Sequence, residues 1–476
     1  MPKNGTDSAS LGTPSLPTDN AGPGSTSDAP AAPGPPRRGL ATTFRSLRHR
    51  NYRLYFFGQL VSLMGTWMQS TAVSWLAFAL THESKWTALI LVAQILPTFF
   101  FGGLGGILAD RVPKRTLIFC TQSAFLLLAL LLAGLGYAGV ITAWKLVIIT
   151  AFSGLVQALD LPARLAFVMD MASREDLMNA VALNSLLFNV ARALGPAAGG
   201  QLMRWISPET CFVANALSYL AVLWALALMN VAHLSPRRMR RASWRSAFNV
   251  LLFLAHHKEY LFRAARMGVR SFFDGLIFVV RRRELLLLAL LMAVISFCGW
   301  PSQTLLPALS KLRLGSDEVG YSWMLSGTGV GALLAAWAIA TFGSLEYGTR
   351  MLGAGIGIVI AGLILLSLAD TLALAVACSA LIGFGLILFL ATSQSIVQLS
   401  SGDYNRGRVM AVWAMIQSGA VPLGSILAGV AADRWDVPLV LRFLGLGCLA
   451  ATVILLVVFD ILRRLTPAQD GEALPV

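Results

Sequence analysis

Four apolar stretches of the chain carry polar or small residues that recur at intervals of three or four positions. These polar stripes are Gln59, Ser62, Thr66 and Gln69; Ser153, Gln157, Asp160 and Arg164; Ser296, Gly299 and Gln303; and Gln394 and Gln398. Such intervals place the members of a stripe on one face of a helix. Because amide, hydroxyl and charged groups on one face can bind a polar ligand or carry a proton, the stripes are predicted to line a polar cavity.

Charged residues inside apolar stretches are costly and usually face the protein interior. Among the 23 acidic residues, only Asp160 lies deep within such a stretch, and Arg164 follows it by one helical turn. The two could form a structural pair; proton or cation coupling and direct substrate contact are the alternatives. Arg192 is the other charged residue deep within an apolar stretch, and Asn189 lies on the same predicted helix. For the glutamines and serines, the alternative to lining a cavity is bonding between helices, worth about 0.6 kcal/mol each.

The remaining reactive residue types form no set that predicts catalysis. The five cysteines fall in apolar runs without a Cys-x-x-Cys pair, and none of the five histidines lies inside an apolar stretch. Neither a metal site nor a nucleophile–base pair is therefore indicated. No phosphate-binding Gly-x-x-x-x-Gly-Lys-Ser/Thr motif occurs. We expect no enzyme activity, no cofactor, no metal and no ATP hydrolysis.

Composition identifies the elements that must position these residues. The chain is 56% hydrophobic and 13% charged, whereas soluble domains carry about 25% charged residues. Apolar runs of about 18 or more residues are typical of membrane spans, and spans of this length are helical because lipid cannot pair a free backbone. The predicted fold is therefore an all-α membrane protein. Its twelve predicted helices are 53–80, 86–108, 115–138, 144–168, 178–203, 209–231, 285–309, 319–342, 350–369, 371–397, 409–432 and 437–461.

The six-plus-six pattern predicts two related halves and three flanking segments. Residues 1–42 are rich in Pro, Gly, Ser, Ala and Thr and are predicted to be a disordered tail. Residues 43–231 and 284–462 are the two six-helix halves. Residues 232–283 mix Arg with Phe, Leu and Val, which favours an amphipathic segment on anionic lipid, with a regulatory or partner-docking role as the alternative. Residues 463–476 form a second tail.

The basic residues predict the orientation of the chain. With the N-terminus in the cytoplasm, 29 of the 37 Lys and Arg fall on the cytoplasmic side and 7 on the other, leaving Arg192 within a span. Cytoplasmic loops of membrane proteins are enriched in Lys and Arg. Both termini and both tails are therefore expected to be cytoplasmic, and the net charge of +14 is explained by orientation, with no nucleic-acid partner.

The turn between the second and third predicted spans carries ordered charges. In "GGILADRVPKRT", residues 105–116, glycines precede one acid, and three bases follow it. We expect Gly102, Gly103, Gly105 and Gly106 to allow close helix packing, and the charges to act as a latch that forms in one conformation. The latch residues are Gly106, Asp110, Arg111, Lys114 and Arg115.

This turn resembles the signature of the major facilitator superfamily between spans two and three, with Pro113 in place of a usual glycine. The resemblance implies two pseudo-symmetric six-helix halves and a substrate site between them. In that superfamily the first, fourth, seventh and tenth spans line the cavity. The candidate cavity and coupling residues are Gln59, Thr66, Gln69, Gln157, Asp160, Arg164, Asn189, Arg192, Gln303 and Gln394.

A second motif resembles the fifth-span signature of exporters in that superfamily. In "RALGPAAGG", Gly195, Pro196, Gly199 and Gly200 match, and Ala191 stands where a glycine is usual. With "RGRVMAVW" at 406–413, the surrounding sequence is similar to the enterobactin-exporter-like branch. The resemblance implies a monomeric exporter in the bacterial inner membrane that moves a small siderophore- or drug-like molecule outward by proton antiport. The alternatives are a macrolide or multidrug pump, an importer, and a non-transporting assembly factor.

Overall fold

The structure, a computed structural model, describes residues 44–171, 176–229, 273–342 and 347–465. The predicted tail 1–42, most of the predicted amphipathic segment 232–283, and the last residues of the second tail lie outside the described residues. All regular structure within the described ranges is helical.

The first half contains six long helices. They are α1 (Arg50–Thr81), α2 (Ser84–Arg111), α3 (Lys114–Tyr137), α4 (Ala143–Met171), α5 (Leu177–Trp205) and α6 (Pro208–Leu228). A short 3₁₀ turn, Arg45–Arg48, precedes α1. Local features account for two of the helix ends. Helix α1 ends where His82 adopts a left-handed conformation (φ 56°). Helix α6 begins with Pro208, whose fixed φ suits the first helical position.

The second half repeats this organisation with one interruption. Its helices are α7 (Arg283–Cys298), α8 (Ser302–Ala308), α9 (Glu318–Phe342), α10 (Gly348–Ser367), α11 (Leu372–Ser400), α12 (Gly402–Ala432) and α13 (Val437–Leu465). The seventh predicted span is divided, because Gly299–Trp300–Pro301 interrupts it between α7 and α8, and it ends in a π-helical turn, Leu309–Arg313. A further helical segment, 273–281, precedes α7.

The twelve predicted spans correspond to these elements within four residues at each end, except that α12 begins at Gly402, seven residues before the predicted start at 409. Eleven segments of the described chain, including Arg283–Arg313 as one, are long and apolar enough to cross a membrane. The twelfth long helix is α1, with 32 residues. The prediction of an all-α fold with twelve spanning helices in two halves is confirmed.

Successive spans, with α7 and α8 counted as one, run in opposite directions, so their connections gather at two ends. We call one the Asp433 end; it carries the connections 82–83, 138–142, 206–207, 314–317, 368–371 and 433–436. The other, the Asp110 end, carries the turn 112–113, Ser401 between α11 and α12, and the described parts of the connections after α4, α6 and α9. Within the first half α2 packs on α4, and within the second α9 packs on α11; between the halves α5 packs on α9 and α2 on α12.

Glycines mark the closest of these approaches, but not all those expected to do so. A Cβ on Gly105 would overlap the carbonyl oxygen of Ala158 in α4. A Cβ on Gly102, Gly103 or Gly106 would meet nothing within 4 Å. The expectation of close packing is therefore wrong for these three in this arrangement, because a side chain at each position would have open space around its Cβ.

Candidate functional site

Asp160 lies in a fully enclosed polar cluster between α3 and α4. Its side chain is 0% exposed, and its Oδ1 accepts hydrogen bonds from Thr121 Oγ1 at 2.5 Å and Gln122 Nε2 at 3.1 Å. Its Oδ2 lies 2.6 Å from Arg164 Nε. This last contact is an ion pair without hydrogen-bond alignment. The Asp160–Arg164 pair that the four-residue spacing suggested is therefore formed. Two residues of α3 supply the hydrogen bonds to the carboxylate.

The two partners of Asp160 on α3 did not appear among the sequence candidates. Thr121 and Gln122 are adjacent polar residues in an otherwise apolar run, and that interruption is the signal that could have identified them. Both are buried. Because both residues are on α3, the Asp160 carboxylate points toward α3, a helix of the same half.

The stripe on α1 bonds to α6 over part of its length. Thr66 Oγ1 donates to the carbonyl oxygen of Ser62 at 2.9 Å and lies 3.2 Å from the Tyr219 hydroxyl. Gln69 Oε1 accepts from Asn215 Nδ2 at 2.8 Å. Of the two alternatives left open for Gln69, the structure forms the bond between helices. Asn215 and Tyr219 were not among the sequence candidates, although they are four residues apart in α6, and this interval is the signal that could have identified them.

Gln59, nearer the start of α1, differs from these two residues. Its side chain is buried, and its Oε1 has no hydrogen-bond partner among the described residues. A buried amide oxygen without a donor costs free energy. The structure therefore leaves Gln59 Oε1 as a buried acceptor without a donor among the described residues.

Arg192 lies at the contact between the two halves. Its residue is 4% exposed, and its guanidinium lies over the ring of Trp67 in the first half, at 5.9 Å, and of Trp300 in the second, at 5.3 Å. Nε and Nη2 are buried without a hydrogen-bond partner in the described chain. Arg192 does not bond to Asp160, whose polar partners are on α3 and α4.

The other candidate residues have fewer side-chain contacts with neighbouring helices. Asn189 Nδ2 donates to the carbonyl oxygen of Ser185 one turn earlier, at 2.9 Å. Gln303 Nε2 is buried without a partner in the described chain, three residues after Trp300. Gln157 is half-buried, and Gln394 on α11 is exposed. Of these four residues, Gln303 alone has a buried side-chain atom without a hydrogen-bond partner in the described chain.

A separate cavity of about 620 Å³ lies between α7, α12 and α13. Apolar side chains line it, among them Phe297, Leu427 and Phe443. None of its lining residues belongs to the polar stripes. The polar stripes therefore do not line this cavity.

The bases of the turn 112–113 bind helix ends within the first half. Lys114 Nζ lies 2.7 Å from Asp170 Oδ2 and donates to the carbonyl oxygen of Ala166, both near the end of α4. Arg115 Nη2 donates to the carbonyl oxygen of Leu226 at 2.5 Å, near the end of α6. Such contacts satisfy carbonyls that have no partner within their own helix. Asp110 and Arg111 are exposed, and the latch role expected for this turn stays a prediction.

The motif on α5 packs against helices of both halves. A Cβ on Gly195 would lie 2.5 Å from Trp67 Cβ, and one on Gly199 would lie 3.1 Å from Met68 Cα, both in α1. A Cβ on Gly200 would overlap the side chain of Ser322 in α9. Pro196 lies inside the helix. The glycines therefore allow α5 to contact α1 and α9 at once.

Hydrogen bonds join the halves at the Asp433 end. Asp433, just beyond α12, accepts from the backbone N–H of Ser84 at 2.5 Å and of Lys85 at 3.1 Å, in the first turn of α2. Burial is the main cause that raises the pKa of the Asp433 carboxyl above its ordinary value, against the lowering effect of these two hydrogen bonds. Trp75 of α1 stacks on Tyr321 of α9 nearby, with ring centroids 6.3 Å apart.

A comparison with known protein families identifies the family of this chain. The major facilitator model described as "transmembrane secretion effector" matches residues 41–470. The chain belongs to this family. It is a major facilitator transporter and a multi-pass membrane protein.

Two relatives of this transporter are named for a siderophore and for drug resistance. The staphyloferrin A transporter of Staphylococcus aureus (strain NCTC 8325 / PS 47) is 22% identical over 84% of this chain and 94% of its own length. The putative multidrug resistance protein MdtD of Shigella flexneri serotype 5b (strain 8401) is 28% identical over 33% of each chain.

Solved structures share the fold of the transporter at low sequence identity. A crystal structure of a POT family transporter in complex with a thioalcohol-conjugated peptide aligns with a TM-score of 0.67 and 13% identity, over 88% of this chain and 99% of that one. A crystal structure of a mutant of the nucleoside transporter NupG aligns with a TM-score of 0.62 at 15% identity, over 87% and 99% of the two chains.

Proposed function

We propose that the transporter is a secondary exporter of the bacterial inner membrane that moves a small amphipathic molecule, siderophore- or drug-like, from the cytoplasm outward. The observation that carries this proposal is the position of the α5 motif. The motif resembles a signature of exporters, and its Gly200 forms the contact with Ser322 between the halves. A transport cycle must break and re-form that contact.

The cycle we propose is alternating access between two arrangements of the halves. At the Asp433 end, Asp433 and the Trp75–Tyr321 stack hold the halves together. We assign this end to the outside of the membrane, because the excess of Lys and Arg lies at the other. Substrate then enters from the cytoplasm and leaves when the contacts at the Asp433 end separate.

Proton antiport is the proposed driving force, and Asp160 is its proposed proton carrier. Asp160 is buried and paired with Arg164. Protonation of the carboxyl would release Arg164 from the pair, which gives the proton a structural consequence. Thr121 and Gln122 hold the carboxylate while it is unprotonated.

Inside-out vesicles test the proposal directly. Vesicles from cells that express the full chain are energised so that the lumen becomes acidic, and labelled compounds are added outside: a citrate-based siderophore in one arm and erythromycin in the other. Export by proton antiport should load a compound into the lumen and dissipate part of the pH gradient, measured by filtration and a pH-sensitive dye. Loading only in right-side-out vesicles would contradict the assigned direction.

The two arms also separate the proposed substrate classes. Erythromycin loading without siderophore loading would favour a macrolide or multidrug pump, consistent with the name of the MdtD relatives. Loading of the siderophore alone would favour the function named for the Staphylococcus aureus relative. Transport of neither compound by any orientation of vesicle would favour a non-transporting assembly role.

A further inference from the structure

The charges of the described spans do not balance. Asp160 and Arg164 lie deep in α4 and cancel each other as an ion pair. Arg192 lies deep in α5, is 4% exposed, and forms no ion pair with the described residues. Arginine stays protonated in proteins. The interior between the halves therefore holds one uncompensated positive charge, which is costly without an anionic partner.

The free donors of Arg192 have a definite geometry. The rings of Trp67 and Trp300 attract the cation through their faces, but a ring face does not replace an in-plane acceptor for each N–H. Nε and Nη2, the two buried nitrogens without partners in the described chain, share one edge of the planar guanidinium. That edge presents two parallel donors, the arrangement that binds a carboxylate or phosphate through two oxygens.

We infer that Arg192 binds an oxyanion group of the transported molecule, a carboxylate or a phosphate, at the contact between the two halves. This inference rests on the proposed transport function and narrows its substrate class to amphipathic anions. Gln303 supports it, because its buried Nε2, also without a partner among the described residues, supplies another donor close in sequence to Trp300.

The position of the two tryptophans gives the anion a role in the cycle. Trp67 is in α1 of the first half, and Trp300 is in the break between α7 and α8 of the second. An anion bound to the guanidinium edge therefore lies beside residues of both halves, and its arrival neutralises the charge between them. The alternative is that Arg192 only joins the two rings and binds no ligand.

Direct binding distinguishes the two alternatives. The full chain, purified into nanodiscs, is titrated with radiolabelled citrate and, separately, with labelled inorganic phosphate at constant ionic strength. We expect saturable binding of at least one probe, weakened about tenfold or more by Arg192→Gln, as loss of a charge-assisted hydrogen bond predicts. Arg192→Lys, which keeps the charge but not the two-donor edge, should weaken binding by less.

Two controls make the result specific. Arg204→Gln changes the same charge on an exposed residue of the same helix and should leave binding unchanged. Triethyl citrate, which has the citrate skeleton without its negative charges, should not compete. Should Arg192→Gln fail to fold, the Lys variant and the triethyl citrate competition still decide, since a lysine variant with unaltered affinity, or competition by the ester, overturns the inference.

The outcomes also separate this inference from the proposed function. Absence of saturable citrate and phosphate binding, or binding that Arg192→Gln leaves intact, overturns the anion site even where vesicles export a neutral compound. Binding that depends on Arg192 without any vesicle transport upholds the site and overturns the exporter. Binding of citrate but not phosphate assigns the site to carboxylates, and the reverse assigns it to phosphates.

Discussion

Asp160 shows how one buried charge in a membrane helix is stabilised by neighbours on two helices. The carboxylate has hydrogen bonds from Thr121 and Gln122 and an ion pair with Arg164. Removing one member of a buried pair leaves the other without compensation, which is more costly than removing both. Stability and proton coupling can therefore be separated by single and double substitutions.

We predict that Asp160→Asn destabilises the folded transporter by about 3 kcal/mol, because Arg164 loses its buried counter-charge. Adding Arg164→Gln should return the thermal unfolding temperature of the detergent-purified protein close to that of the wild type. In vesicles, both variants should lose proton-driven export but retain downhill exchange of substrate. Recovery of proton-driven export in the double variant would mean that the pair is only structural.

Residue spacing located faces but not partners. The intervals of three and four placed Thr66 and Gln69 on one side of α1 correctly, yet both side chains bond to residues of α6. Helical periodicity states which residues share a face; it does not state which helix lies opposite. Arg192 could be identified from the sequence because a charged residue inside an apolar stretch is rare. Its contact with Trp67 and Trp300 could not, because it depends on the packing of two halves distant in sequence.

At the scale of elements, close helix approach depends on particular glycines and not on every glycine in a motif. Gly195 packs against Trp67 Cβ, an atom fixed to the backbone of α1. Gly106 also belongs to a glycine-containing motif but faces open space. The two positions provide a matched pair for substitution.

We predict that Gly195→Ala destabilises the transporter by about 1–3 kcal/mol, because the new Cβ forces α5 away from α1. Gly106→Ala should be neutral or stabilising by up to about 1 kcal/mol, since alanine is the better helix former. Thermal unfolding of both purified variants, with export in vesicles, measures the difference. Equal loss of stability at the two positions would contradict the packing assigned to α5.

The joined ends of α2 and α12 form an element contact that responds to pH. Asp433 caps the first turn of α2 through two backbone N–H groups. Burial raises its pKa in this contact, so the joined ends bind a proton more tightly than the separated ends. The contact is therefore favoured at low pH and loses stability as the pH rises through the raised pKa.

We predict that the Asp433 end opens more often as the pH rises. Spin labels at the exposed Val140 and Leu312, one in each half, should report a larger fraction of long distances at the higher pH. Asp433→Asn removes the titrating group and should make the distance distribution independent of pH over the same interval. A wild-type distribution that shifts toward shorter distances with rising pH would refute the assigned sign.

At the scale of the whole molecule, composition and charge determined most of what could be predicted. Apolar run lengths predicted all twelve spans, because a bilayer imposes a minimum helix length that sequence reveals directly. The contacts between halves were not predictable in this way. The bonds of Asp433 to Ser84 and Lys85 join residues about 350 positions apart, and no local pattern encodes such a distance.

The last prediction concerns how the two ends alternate. In this arrangement the halves are joined at the Asp433 end, Lys114 and Arg115 bind the ends of α4 and α6, and Asp110 is exposed. If the turn acts as a latch, Asp110 gains its partner only when the Asp110 end closes. Removing its charge should then destabilise that closed arrangement alone and leave the present one unaffected.

We predict that Asp110→Asn slows export several-fold without changing expression, and shifts the spin-label distances at Val140 and Leu312 toward the short, joined population. A loss of about 1 kcal/mol in the competing arrangement suffices for a shift of about fivefold. Asp370→Asn is the matched control. Asp370 is also exposed, but it pairs with Arg313 at the Asp433 end, so the loss of its charge should not weaken a latch at the Asp110 end. Unchanged export and unchanged distances in Asp110→Asn would leave the turn with only the role of orienting the chain in the membrane, through its bases.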